Sequence, residues 1–177
     1  FRVQVILQRK GKNNQNGLVY PDEVLIREAE KYSKTFIAQR RAMGELDHPE
    51  SSVVNLKNVS HNVIEMHWVG DDLVGTVEVL TTPNGNILRE LFKNGIKLGI
   101  SSRGLGTLKK ISEDVSVVDD DFELIAFDFV SNPSTYGAFM YPVGKTPLSE
   151  GIVKNPITNR WEKTDDIVRN ILLEILE

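Results

Sequence analysis

The chain contains no cysteine. That excludes disulfides, thiolate catalysis and Cys-ligated zinc or iron–sulfur centres, while leaving the redox compartment open. Histidine is also scarce, with His48, His61 and His67 the only three. The last two share a predicted strand and lie about 20 Å apart at the usual strand rise. Neither has an acidic partner at ligand spacing, which argues against a shared metal site, and no cofactor is expected. No apolar run approaches the roughly 20 residues of a membrane span, and the start carries no signal-peptide pattern. Neither sign of charge dominates: 21 basic against 25 acidic residues give −4, which argues against a nucleic-acid polyanion as the main partner. Thirteen glycines and seven prolines are too few for a disordered or collagen-like chain. What is present is 177 residues, 40% hydrophobic and 26% charged, the make-up of one globular domain able to bury a core.

Period-two alternation around Val3, Val5 and Leu7 predicts a strand over residues 2–8. Residues 10–17 form a polar turn region. Pro21, Asp22 and Glu23 open a helix that runs through Tyr32, since proline and acids suit a first helical turn. Residues 36–49 connect this helix to a β-rich middle. There, residues 63–69 and 73–80 read as a hairpin around Gly70-Asp71-Asp72. Residues 81–85 are a turn, and residues 86–94 a short helix ended by Gly95. Further strands are expected at 97–101, around 105–110, at 115–118 and at 122–130. Residues 144–163 read as an irregular extension. A terminal helix over 165–176 carries Ile167, Ile171 and Ile175 in one stripe. Many strands, few helices and tight turns indicate an α+β protein with a β-barrel core and peripheral helices.

Three segments could carry chemistry. His48 lies in Gly44-Glu45-Leu46-Asp47-His48-Pro49. It is either an exposed loop residue or a general base on a turn stiffened by Pro49. Gly99-Ile100-Ser101-Ser102-Arg103-Gly104 sits on a predicted strand. Alternation puts Leu98, Ile100 and Ser102 on one face, and Gly99, Ser101 and Arg103 on the other. With the apolar face inward, Ser101 projects outward. Gly99 then leaves room for a substrate backbone, and Gly104 frees main-chain N–H groups for an oxyanion. Asp128 falls in a run that is apolar on both faces. A carboxylate there must be paired, either structurally with Arg103 or by orienting a catalytic histidine. Gly104-Leu105-Gly106 lacks the rest of a phosphate loop. Trp68 and the phenylalanines read as core.

The order of these segments resembles one family. A Gly-Glu-Leu-Asp-His-Pro turn is followed by a hairpin, a helix, Gly-Ile-Ser-Ser-Arg-Gly, and a strand ending Asp-Phe-Val-Ser-Asn-Pro-Ser-Thr. This is similar to the prohead (capsid maturation) proteases of T-even-like tailed phages, which are related to herpesvirus assemblin. The resemblance runs from about residue 40 to residue 138. It implies a herpesvirus-protease-like β-barrel and a serine endopeptidase that cuts phage core, scaffold and capsid proteins inside the assembling prohead, in the host cytoplasm. It places the nucleophile at Ser101, with Ser102 as a rival, the base at His48 and the acidic third member at Asp128. Oxyanion donors would lie around Arg103 and Gly104. A homo-oligomer is compatible with it, as are no nucleic-acid partner and no membrane. Residues 1–143 would form the protease domain, with 144–177 an extension removable by self-processing. The family's Leu/Ile-x-Glu cleavage pattern matches at Glu150, Glu174 and Glu177, and also at Glu28, Glu90 and Glu113. The competing reading is a non-catalytic scaffold or capsid assembly component, in which Ser101 and His48 lie far apart.

Overall fold

The computed structural model describes residues 1–139 and the backbone of residues 141–142. Its first strand, β1 (Arg2–Arg9), extends the predicted one by a residue. Val3, Val5 and Leu7 are fully buried on one face, yet Ile6 and Gln8 on the other are buried as well. A strand covered on both sides belongs inside a sheet, and β1 indeed lies between two neighbours. The five-stranded sheet has the order β10-β1-β5-β4-β3, with β3 at Met43–Glu45, β4 at Val59–Val69, β5 at Asp72–Val79 and β10 at Tyr141–Pro142. The predicted hairpin is β4–β5, its first strand starting four residues earlier than the alternation indicated. That added stretch, Val59 to Asn62, is buried throughout, so it shows no alternation to read.

Helix α1 (Asp22–Tyr32) begins directly after Pro21 and turns Val24, Leu25, Ala29 and Tyr32 into the core. Its one buried acid, Glu28, accepts the Leu124 N–H at 3.0 Å and so ties the helix to β9 (Glu123–Val130). The chain then passes through a π-helical turn, Ser33–Ile37, before β3. Helix α2 spans Pro83–Lys93, so the last three residues of the predicted turn, Pro83 to Gly85, belong to its first turn. Thr82 caps it by accepting the Gly85 N–H at 3.1 Å, and Pro83 fits the first helical position because it has no N–H to satisfy. Leu88 and Phe92 bury its inner face.

Strand β6 (Gly99–Leu105) runs on beyond the predicted end at residue 101 and pairs antiparallel with β9. Gly106 and Thr107 separate it from β7 (Leu108–Lys110), which joins β8 (Ser116–Val118) and the two-residue β2 (Leu18–Val19) in a three-stranded sheet. A strand as short as β2 leaves no periodicity to detect. The protein is thus mixed α+β, as expected, but its described strands form sheets of five, three and two strands and close no barrel. The alternation that identified the strands carries no information on sheet closure. The extension at 144–163 and the helix at 165–176 lie outside the described residues.

One core joins the sheets. Val3, Val5, Leu7, Val63, Leu73 and Val77 meet Tyr32, Phe92, Phe127 and Phe129 within it. Phe92, Phe122, Phe127 and Phe129 are core, as expected, while Phe1, Phe36 and Trp68 are only partly buried against it. Gly44 sets how closely the sheets approach. A Cβ there would come within 2.0 Å of the Phe127 carbonyl oxygen and 2.3 Å of His61 Nε2, so β3 can wedge between β4 and β9 only with glycine at this point. That wedge carries Glu45 and the chain leading to His48 over the face of β9.

Candidate active site

Asp128 is the centre of a buried polar cluster, with no exposed surface of its own. It projects from β9 on the face where its ladder partner is Ser101 of β6. Its Oδ1 accepts the Glu45 N–H at 2.9 Å, and its Oδ2 lies 2.8 Å from His48 Nδ1. Arg103 grips both oxygens, through Nε to Oδ2 at 2.9 Å and Nη2 to Oδ1 at 3.2 Å. Burial pushes the Asp128 carboxyl up. Hydrogen bonds from His48 and the Glu45 N–H, with the neighbouring Arg103 charge, outweigh it and hold the group below its ordinary range. Asp128 thus pairs with Arg103, as the structural reading had it, and it also bonds the His48 ring.

The local backbone explains how His48 reaches it. Asp47 adopts a left-handed conformation, φ +69°, which aspartate tolerates better than most residues. Its N–H donates to the Phe129 carbonyl at 2.7 Å, and its Oδ1 accepts the His48 N–H at 2.9 Å. The turn is fastened to β9 and folds the imidazole back over the sheet. With Nδ1–H donating to a carboxylate, Nε2 is the free base nitrogen. The His48 side chain is 38% exposed, so the ring meets solvent while its anchor is dry.

Ser101 lies on the face that alternation assigned it, opposite the fully buried Ile100. It does not project outward, however, being only 4% exposed. Its hydroxyl is 3.0 Å from that of Ser134, and among the described residues it makes no hydrogen bond to His48. The room expected beside Gly99 is also filled, because a Cβ there would meet the Ala138 carbonyl oxygen and the Pro133 ring, each at 2.5 Å. The chain that follows β9 covers both positions, a long-range contact that no local pattern announces. Ser102 takes the other face, where Gln8 Nε2 donates to its hydroxyl at 2.7 Å. A cleft of about 320 Å³ opens beside these residues, lined by His48, Pro49, Ser102, Arg103 and Gly104 and floored by Tyr20, Val118 and Phe122. Burial pushes the Tyr20 hydroxyl up, opposed by its hydrogen bond with Ser102.

The other histidines separate from this site and from each other. His61 is fully buried, with Nε2 at 2.8 Å from the Phe127 carbonyl and Nδ1 at 2.8 Å from Ser60 Oγ. The carbonyl requires Nε2–H, so Nδ1 accepts the serine proton and the ring is neutral. Burial lowers its pKa to about 4. His67 is exposed on β4.

Glu45 was inside the motif that drew attention to His48 but had no assigned role. Its Oε2 accepts from Arg103 Nη2 at 2.8 Å, and it is 1% exposed. The local sequence carried no signal for it, because β3 is only three residues long and Gly44 and Glu45 are both buried, leaving no alternation to read. Ser134 was also missed, for want of any local sign that it meets Ser101.

A family model described as prohead core protein serine protease matches residues 2–149. The chain belongs to that family. It is 30% identical over 132 residues to the prohead core protein protease of Enterobacteria phage T4, covering 73% of this chain and 62% of that relative. It thus spans about three-fifths of the curated relative's length. The solved structure of the bacteriophage T4 capsid assembly protease is 27% identical and superposes with a TM-score of 0.70, over 73% of this chain and 80% of that one. The matched span contains every residue of the polar cluster. For this member of the prohead protease family, residues that alternation and motif order had brought into question are gathered around one buried carboxylate.

Proposed function

We propose that the chain is a serine endopeptidase of phage prohead maturation that cuts core and capsid proteins, with Ser101 as nucleophile, His48 as general base and Asp128 as the orienting acid. The observation that carries this reading is the convergence on Asp128: His48 bonds it at 2.8 Å, and Ser101 faces it across the β6–β9 ladder. The competing scaffold reading expects Ser101 and His48 to lie far apart and has no need of a common carboxylate. In the reaction, the Ser101 hydroxyl leaves Ser134, turns to His48 Nε2 and attacks a peptide carbonyl while the imidazole takes its proton. Asp128 fixes the tautomer and stabilises the imidazolium. Main-chain N–H groups at Arg103 and Gly104, where the ladder register shifts, are the proposed oxyanion donors. The Arg103 guanidinium itself is occupied by carboxylates.

The cleft beside His48 supports an endopeptidase, being open and lined by both apolar and polar groups that suit an extended peptide. Its inclusion of Ser102 favours a second assignment, in which Ser102 is the nucleophile. Against it stand the Gln8 hydrogen bond and the strand face turned away from Asp128. A herpesvirus-protease-like arrangement, without a closed barrel among the described strands, remains part of the proposal, supported by the single core that the three sheets share. So do host-cytoplasmic action inside the prohead, homo-oligomer formation and self-processing after Glu150, Glu174 or Glu177, three sites outside the described residues. The test of the nucleophile is a fluorophosphonate probe followed by peptide mapping. Modification at Ser101, lost in His48→Ala, is expected. Modification at Ser102 alone would overturn the assignment.

A further inference from the structure

We propose that Glu45 and Arg103 are positioning residues that set the charge of the His48–Asp128 pair, Glu45 taking up the Arg103 charge so that Asp128 keeps its own for the imidazolium. The inference rests on the proposed roles of His48 and Ser101 and deepens them. Arg103 is 8% exposed, Glu45 1% and Asp128 0%. The guanidinium spans the two carboxylates, with Nη2 shared between Glu45 Oε2 at 2.8 Å and Asp128 Oδ1 at 3.2 Å. Its Nη1 donates to the Ser51 carbonyl at 2.7 Å, which fixes the far end of the loop that carries His48. Arg103 alone would neutralise Asp128 and leave little to attract a protonated base. With Glu45 present, one buried cation faces two buried anions. The cluster therefore carries one net negative charge in the resting state and is neutral only when His48 is protonated, as it is during acyl transfer. Glu45 Oε1 has no hydrogen-bond partner among the described residues. In a dry site such an imbalance acts far more strongly than in water.

The other acids near His48, Asp47 and Glu50, are exposed, so water and salt screen their charge more than that of the buried cluster. Both are on its own loop, and Tyr20 lines the cleft. Tyr32 from α1 and His61 from β4 feel the Asp128 charge, and both are neutral in the folded protein near pH 7.

The test is the pH profile of kcat/KM on a Leu-x-Glu peptide for the wild type, Glu45→Gln and Arg103→Gln, with folding followed by circular dichroism. Glu45→Gln keeps an acceptor for Arg103 and removes only charge. Its acidic limb is expected to move down by about one pH unit and its plateau to fall about tenfold, with KM little changed. Arg103→Gln removes the opposite charge and is expected to move the limb up. Opposite shifts are a charge signature that a merely structural role would not produce, and either variant decides if the other does not fold. A folded, active variant with an unmoved limb overturns the inference. Wild-type protein whose cleavage survives Ser101→Ala would overturn the underlying assignment instead, so the two failures are distinguishable.

Discussion

His61 shows how a single side chain can set a pH limit without touching the chemistry. It is held neutral between Ser60 and the Phe127 carbonyl, next to the same β9 strand that carries Asp128. Its pKa is about 4 in the folded protein, against about 6.5 in an unfolded chain. Unfolding therefore takes up a proton across that window, so stability falls as the pH drops from about 6.5 to about 4. The full contribution is on the order of 3 kcal/mol. Asp128, whose carboxyl is held below its ordinary range, adds to the loss only at lower pH still, as it protonates. Urea unfolding at pH 7, 5.5 and 4.5 checks this, with a midpoint that declines at each step down; a flat midpoint would remove His61 from the account. His48, Ser101, Arg103 and Asp128 were each visible in the sequence as polar groups in places that had to be explained. Glu45 and Ser134 were not. Their roles exist only through partners 58 and 33 residues away, and one sequence without relatives contains no record of such pairs.

The placement of these groups depends on β3, three residues long. It pairs with β4 on one side, while Leu46, just beyond its end, bridges to Phe129 of β9 on the other. Gly44 lets it do so, because any side chain there meets the Phe127 carbonyl and the His61 ring. Gly44→Ala is expected to destabilise the fold by on the order of 3 kcal/mol, since neither backbone nor a buried ring can give way cheaply. It is also expected to reduce peptide cleavage more than stability alone explains, by moving Glu45 and His48 off β9. Denaturant midpoints alongside kcat at a temperature where the variant is folded would separate the two effects; a stable variant with normal kcat would contradict them. Long periodic elements such as β1, α1 and the β4–β5 hairpin were legible from alternation and helix punctuation. The short strands β7 and β8 fell within expected strands, but β2 and β3 were not foreseen, because they are made by their neighbours. The start of α2 was misread for a different reason: Thr-Pro-Asn-Gly suits a turn as well as a capped helix, and the Thr82 cap decided it.

At the scale of the molecule, the sheets and helices of the described residues act as a frame that brings a loop, β6 and β9 to one buried carboxylate. Accessibility then orders the Leu/Ile-x-Glu matches within the described residues. Glu28 is 3% exposed in α1, and Leu88, which precedes Glu90 in α2, is 0% exposed. Ile111, by contrast, is 69% exposed in the turn between β7 and β8, so cleavage after Glu113 is the match the fold leaves open. The measurement that bears most directly on the function is intact mass over time for the wild type, Ser101→Ala and Ser102→Ala, each with a Leu-x-Glu peptide present. Cleavage after glutamate by the wild type and Ser102→Ala is expected, with Ser101→Ala reduced by about a million-fold, as when a serine protease loses its nucleophile. Cleavage that persists in Ser101→Ala, or disappears only in Ser102→Ala, would contradict the assignment of the site.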